Sequence, residues 1–153
     1  MTTDFWDCRG IVHIDYLPRG TTMNGSYYAS LLERLRASIV KRHRRKFGRG
    51  VLLQQDNAPV HSSKVAMATV RRCGFEILPH PPYSPDLVPS YYHLLGNLKK
   101  NLRGRRFHSD PELKAAVEGW FEEQNSEFYE KGITALEKRW EKCIRIQGDY
   151  VEK

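Results

Sequence analysis

This sequence predicts an α/β fold, and three observations point to it. Short β-branched or apolar runs of strand length alternate with longer stretches whose apolar residues recur every three to four positions. Their order reads strand, strand, helix, strand, helix, strand and then helices, the pattern of a mixed sheet flanked by helices. The 153 residues are one domain's worth, with neither internal repeats nor low-complexity tracts.

Residues 11–17, Ile-Val-His-Ile-Asp-Tyr-Leu, alternate and are rich in β-branched side chains, which predicts a strand. Asp7-Cys8-Arg9-Gly10 reads as a turn before it, so residues 3–7 form the other arm of a hairpin. After Pro18-Arg19-Gly20, Asn24 can cap a helix running to about Lys46, with Tyr28, Leu31, Leu32, Leu35 and Ile39 as its core-facing stripe. Residues 51–55 are a short apolar run ending on Asp56, which suits a buried central strand. Ser62 or Ser63 caps a helix over residues 64–73, and Gly74 stops it. Residues 75–78 are a further strand. Five prolines between 79 and 89 impose an extended loop, because proline fixes φ and restricts the residue before it.

Helical spacing resumes over residues 92–102 with Leu94, Leu95, Leu98 and Leu102. Ser109-Asp110-Pro111-Glu112 is a capping box with proline in the first turn, and it opens a helix to about Glu123. Leu136, Trp140 and Cys143 or Ile144 mark a last helix. Trp6, Trp120 and Trp140 are expected in the core.

Composition excludes several classes. Hydrophobic residues are 40 % and charged residues 28 %, an ordinary globular balance. No apolar run approaches the roughly 20 residues of a membrane span, and Met1-Thr2-Thr3-Asp4 is too polar to begin a signal peptide, so no membrane partner is expected. Cys8, Cys73 and Cys143 form no C-x-x-C pair, which argues against a disulfide framework or a cysteine zinc site and fits a reducing compartment. His61, His80 and His93 lack zinc-type spacing and are expected to be hydrogen-bonding groups.

The net charge of +7 is concentrated in two segments. Residues 34–49 carry eight cations and no carboxylate, and residues 98–109 add five cations. Such clusters point to a polyanion, and Lys41, Arg42, Arg44, Arg45, Lys46, Lys99, Lys100, Arg103, Arg105 and Arg106 are the candidate phosphate contacts. The first cluster also ends a helix, where cations complement the dipole, and it has the form of a nuclear-localisation run.

Asp56 follows the apolar run 51–55, at the strand edge where α/β sheets place ligands. It heads the string Gln55-Asp56-Asn57-Ala58-Pro59-Val60-His61. The strings Leu78-Pro79-His80-Pro81-Pro82-Tyr83-Ser84-Pro85-Asp86-Leu87-Val88-Pro89-Ser90 and Tyr92-His93-Leu94 follow. With Trp6-Asp7, Leu17-Pro18-Arg19-Gly20 and Arg139-Trp140-Glu141-Lys142-Cys143, they span nearly the whole chain. Together they strongly resemble the catalytic domain of mariner-type DNA transposases, including the transposase part of the histone methyltransferase–mariner fusion.

The resemblance implies a ribonuclease-H-like fold in which three carboxylates, or two and an asparagine, hold two Mg²⁺ ions for strand cleavage and transfer. Asp56 matches the second acid. The third follows a gap of 34 residues, which lands on Tyr91 in Pro89-Ser90-Tyr91-Tyr92-His93-Leu94. The first belongs on a strand before the Trp6-Asp7 hairpin, so the expected core lacks the family's first strand, which lies between the hairpin and the strand before Asp56. Asp4, Asp7 and Asp15 sit at the wrong distance to replace that acid, and Asp86 belongs to the loop motif.

The expectation is therefore one partial catalytic domain over residues 1–153, without the helix-turn-helix modules. It is expected to be nuclear, to bind DNA without sequence choice and to cleave no strand. Asp56 would bind Mg²⁺ weakly if at all, and no ion is expected to be held tightly. Two rival readings remain. One is a residual metal-dependent endonuclease, with Asp56, His93 and Asp86 or Asn57 improvising a site. The other is an interaction module that pairs with itself or an intact transposase through an open sheet edge.

Overall fold

Only Cys8 and Arg9 separate the first two strands, so β1 (Thr2–Asp7) and β2 (Gly10–Tyr16) run antiparallel as a hairpin. Asp7 tightens the turn by accepting the Arg9 amide at 2.8 Å. Gly10 takes φ +138°, a backbone conformation that a side chain would strain. The structure, a computed structural model, describes residues 2–42, 45 and 49–151.

The remaining elements are α1 (Gly25–Arg42), β3 (Val51–Leu53), α2 (Lys64–Cys73) and β4 (Phe75–Ile77), then α3 (Leu95–Leu102), α4 (Asp110–Glu123) and α5 (Ser126–Arg145). Their order is the expected one. They gather into two compact units, Met1–Phe5 with Val12–Pro82, and Trp6–Ile11 with Tyr83–Lys153.

In the first unit α1 packs on α2 and buries the predicted stripe. Leu31 and Leu32 have no exposed surface, and Val12, Leu53, Val70 and Phe75 join them in one apolar cluster. Asn24 caps α1 by accepting the Tyr27 amide at 2.8 Å, while the expected end near Lys46 lies outside the described residues. Ser63 is the cap of α2, and Gly74 ends it at φ 82°. Asp15, buried on β2, keeps its charge matched by Arg34 at 2.7 Å and by the Tyr27 hydroxyl at 2.6 Å.

β3 is shorter than expected. It pairs in parallel with β4, Val51 opposite Phe75 and Leu53 opposite Ile77. The Leu78 amide adds one bond to the Leu53 carbonyl at 2.9 Å, just past the last paired residues. Nor is β3 buried on both faces, since Leu52 is 63 % exposed. The strands thus pair two by two, β1 with β2 and β3 with β4, and no described strand joins the pairs.

The second unit is organised around rings and directional bonds. A π-helical turn over Ser90–Leu94 leads into α3, so the helix begins two residues before the predicted position. The Trp6 indole donates to Ser90 Oγ at 2.9 Å. His93 packs at a tilt against Phe128, ring centres 4.4 Å apart, and its Nε2 donates to the Phe128 carbonyl at 2.7 Å. Tyr92 donates to the Gly132 carbonyl at 2.5 Å and lies under the Arg139 guanidinium, 3.9 Å from its ring centre. Burial pushes the Tyr92 hydroxyl up to about 12, although Arg139 pulls it down. Ser109 accepts the Glu112 amide and Asn125 the Phe128 amide, as caps of α4 and α5.

Candidate functional site

Asp56 lies three residues past the end of β3, where the chain leaves the parallel pair and turns through Ala58-Pro59 toward α2. Its carboxylate is 40 % exposed, and its two oxygens have different roles. Oδ1 accepts the Ala58 amide at 3.0 Å and faces His61 Nδ1 at 2.8 Å. The same Nδ1 is 3.1 Å from the Asp56 carbonyl, and since both neighbours are acceptors it carries the proton. No described residue donates to Oδ2.

His61 is held from its other side by Tyr28, with ring centres 4.3 Å apart. The Tyr28 hydroxyl donates to Gln55 Oε1, and burial together with the Asp56 charge raises it above its ordinary range. Asn57 Nδ2 donates to the His80 carbonyl at 3.1 Å. These side chains surround a cleft of about 210 Å³ lined by Gln55, Asp56, Asn57, His61, Ser62 and His80, with Met67, Ile77 and Leu78 as its apolar wall.

Sequence reasoning placed Asp56 but missed this neighbourhood. Tyr28 read only as part of the core stripe, because spacing reports which face is buried and not what a hydroxyl reaches. His61 was expected to be a hydrogen-bonding group, and it is one. Its partner could have been sought in Asp56, five residues earlier across a proline turn.

Tyr91, at the position of the third acid, is in the second unit on the π-helical turn and is 49 % exposed. The groups named for an improvised metal site have other partners. His93 Nε2 holds the Phe128 carbonyl, Asp86 is buried and accepts the Val151 amide at 2.7 Å, and the Asn57 amide holds His80. Of the candidate cations, Lys41, Arg42, Arg45, Lys99, Lys100, Arg103, Arg105 and Arg106 are exposed, the first three in the first unit and the rest in the second. Arg44 and Lys46 lie outside the described residues.

A hairpin, a parallel strand pair with a carboxylate just beyond it, and flanking helices define a ribonuclease-H-like domain of the DNA transposase class. Comparison with known proteins agrees. A family described as transposase (partial DDE domain) matches residues 1–49. The histone-lysine N-methyltransferase SETMAR of Homo sapiens is 35 % identical over 159 residues, covering 99 % of this chain and 22 % of that protein. The mariner Mos1 transposase of Drosophila mauritiana is 37 % identical over 155 residues, covering 97 % of this chain and 44 % of that protein. The solved Mos1 catalytic domain with raltegravir and Mn superposes with a TM-score of 0.93 at 34 % identity, over 97 % of this chain and 76 % of that one. Mos1 in its paired-end complex with the left transposon end gives 0.91 at 35 %, over 97 % of this chain and 44 % of that one. The chain belongs to the mariner transposases and matches their catalytic domain. It spans less than half the length of either curated relative.

Mos1 catalytic-domain structures contain Mg or Mn. A two-ion centre needs several hard oxygen ligands in one place. Here Asp56 offers one open oxygen, and among the described residues no three His, Cys, Asp or Glu side chains come together as a metal site. The residues present do not fit the family's two-ion centre.

Proposed function

We propose that this mariner transposase segment, as a single domain, binds DNA without sequence choice through its exposed cations and performs no strand cleavage or transfer. The observation that carries the reading is a contrast in what the family's equipment has become. Eight described cations of the two basic segments reach solvent, where they can meet phosphates. At the two acid positions that the resemblance places within this sequence, Asp56 has its counterpart and Tyr91 stands in the other's place, and the Asp56 carboxylate is hydrogen-bonded to a histidine. The DNA partner is supported by the Mos1 complex with a transposon end, and DNA as partner makes the nucleus the expected compartment.

A binding titration at several salt concentrations tests the first half. Affinity should fall linearly on logarithmic axes, and Lys99→Gln with Lys100→Gln should reduce the slope by about two. Salt-independent binding, or no binding together with a changed oligomeric state on mixing with an intact transposase, would instead favour an interaction module. A nicking assay with Mg²⁺ and Mn²⁺ tests the second half. No product is expected from the parent or from Tyr91→Asp, which would supply two of three carboxylates. Nicking that Asp56→Ala abolishes would sink the non-cleaving assignment.

A further inference from the structure

Ser84 is the only serine or threonine in the sequence that proline follows. A second proline stands two positions before it, so the string reads Pro82-Tyr83-Ser84-Pro85. Packing explains what comes next in the chain. Pro85–Leu87 form a single 3-10 turn, closed by the Leu87 amide on the Ser84 carbonyl at 3.1 Å, and Asp86 and Leu87 are buried. The Ser84 side chain does not cap that turn.

Packing does not explain the string itself. Pro81, Pro82, Tyr83 and Pro85 are exposed, Ser84 is half-buried, and the Tyr83 ring is 90 % in solvent. Tyr83 also has φ 54°, a left-handed conformation that costs a bulky residue about 1–3 kcal/mol. Drawing residues 82–85 into an extended strand would release that strain, so the loop gives up its folded form at reduced cost. Asp86, with its carboxylate on the Val151 amide, anchors the chain just beyond.

Proline after a serine suits one kind of enzyme cleft. Any other residue there would bury a backbone N–H against apolar surface, whereas proline has no such donor to leave unpaired. Proline-directed protein kinases make that demand, and residues 82–85 present it on an exposed loop. We propose that Ser84 is the phosphoryl acceptor of a proline-directed serine/threonine kinase, with ATP as the donor. Ser84 Oγ attacks the γ-phosphorus, and the bond from that phosphorus to the β–γ bridging oxygen breaks. ADP leaves, and the hydroxyl proton passes to the kinase's catalytic aspartate. The phosphate takes about 1.5 to 2 from the net charge of +7. The proposal stands apart from the DNA-binding reading and does not depend on it.

Incubating the full chain with ATP, Mg²⁺ and a purified mitogen-activated protein kinase tests it. Intact mass follows incorporation, and tandem mass spectrometry maps the residue. One phosphate per chain is expected, on Ser84. Ser84→Ala should lose it, and Pro85→Ala, which keeps the acceptor, should slow it about tenfold or more. Circular dichroism checks that both variants fold. No incorporation into the parent chain, incorporation only on other residues, or an undiminished rate in Pro85→Ala would overturn the proposal. The residue mapped in the parent chain decides even where a variant does not fold.

Discussion

The two units are held by different chemistry. In the first, aliphatic side chains of α1, α2 and the strands carry the core, with Leu31, Leu32 and Ala66 fully enclosed. In the second, Leu87 and Leu94 are also enclosed, and beside them rings and polar groups engage one another, from His93 on Phe128 to Tyr129 donating to the Phe121 carbonyl at 2.6 Å. Buried Asp86 follows the same pattern, accepting the Val151 amide while Arg139 holds its carbonyl at 3.0 Å. The difference teaches where binding capacity is left over. An apolar core leaves the polar side chains after β3 to face a cleft. The polar groups inside the second unit already hold one another, and this unit turns its cations outward from Lys99 to Arg106.

Deleting core volume in the first unit should have the largest effect. Leu32→Ala should cost about 2–5 kcal/mol, because the enclosed site collapses only partly. All three tryptophans belong to the second unit, so their fluorescence reports on it alone. In urea the far-UV circular dichroism midpoint should fall more than the fluorescence midpoint. A coincident fall would break the comparison. The matching change in the second unit is Gly132→Ala. Its new methyl would lie 2.8 Å from His93 Cγ, and that ring is held by Phe128 and a carbonyl. A net loss of about 1–2 kcal/mol is expected after the better helix propensity of alanine is allowed for. An unmoved fluorescence midpoint would show that the ring yields.

Asp4 on β1 is a polar group of the first unit without a partner of the kind Arg34 gives Asp15, and it makes the smallest prediction. Its Oδ1 is buried without a hydrogen-bond partner, and burial pushes its carboxyl up from 3.8 to about 6. Between those pH values the folded chain binds more protons than the unfolded one, so stability falls as pH rises through that window. Below it the side chain is neutral in both states. Asp4→Val should therefore stabilise by about 1–2 kcal/mol at pH 8, and the gain should shrink toward pH 4. A gain independent of pH would show that the side chain's shape matters and its charge does not.

Features set by near neighbours were legible in the sequence. Asn24, Ser63 and Ser109 act as caps where they were expected, and Gly74 stops α2, because each interaction closes within a few residues. The hairpin and the stripe on α1 followed from periodicity for the same reason. β3 misled, since Gln54 and Gln55 continue a strand-like run, while the pairing that defines the strand ends at Leu53 opposite Ile77, on a segment beyond α2. The π-helical turn at Tyr91 carries no signal in residue spacing. Asp86 read as a loop residue, and only the chain 65 residues later buries it.

By itself the sequence determined the element order, the caps, the two basic segments and membership of the mariner transposases, all carried by short strings and local periods. Tertiary structure decided that the Asp56 carboxylate is half engaged by His61, that Tyr28 fixes the Gln55 amide, and that His93 supports a packed ring cluster. Those outcomes depend on side chains brought together across tens of residues, and the free energy of such contacts is set by burial and orientation, which residue spacing does not encode.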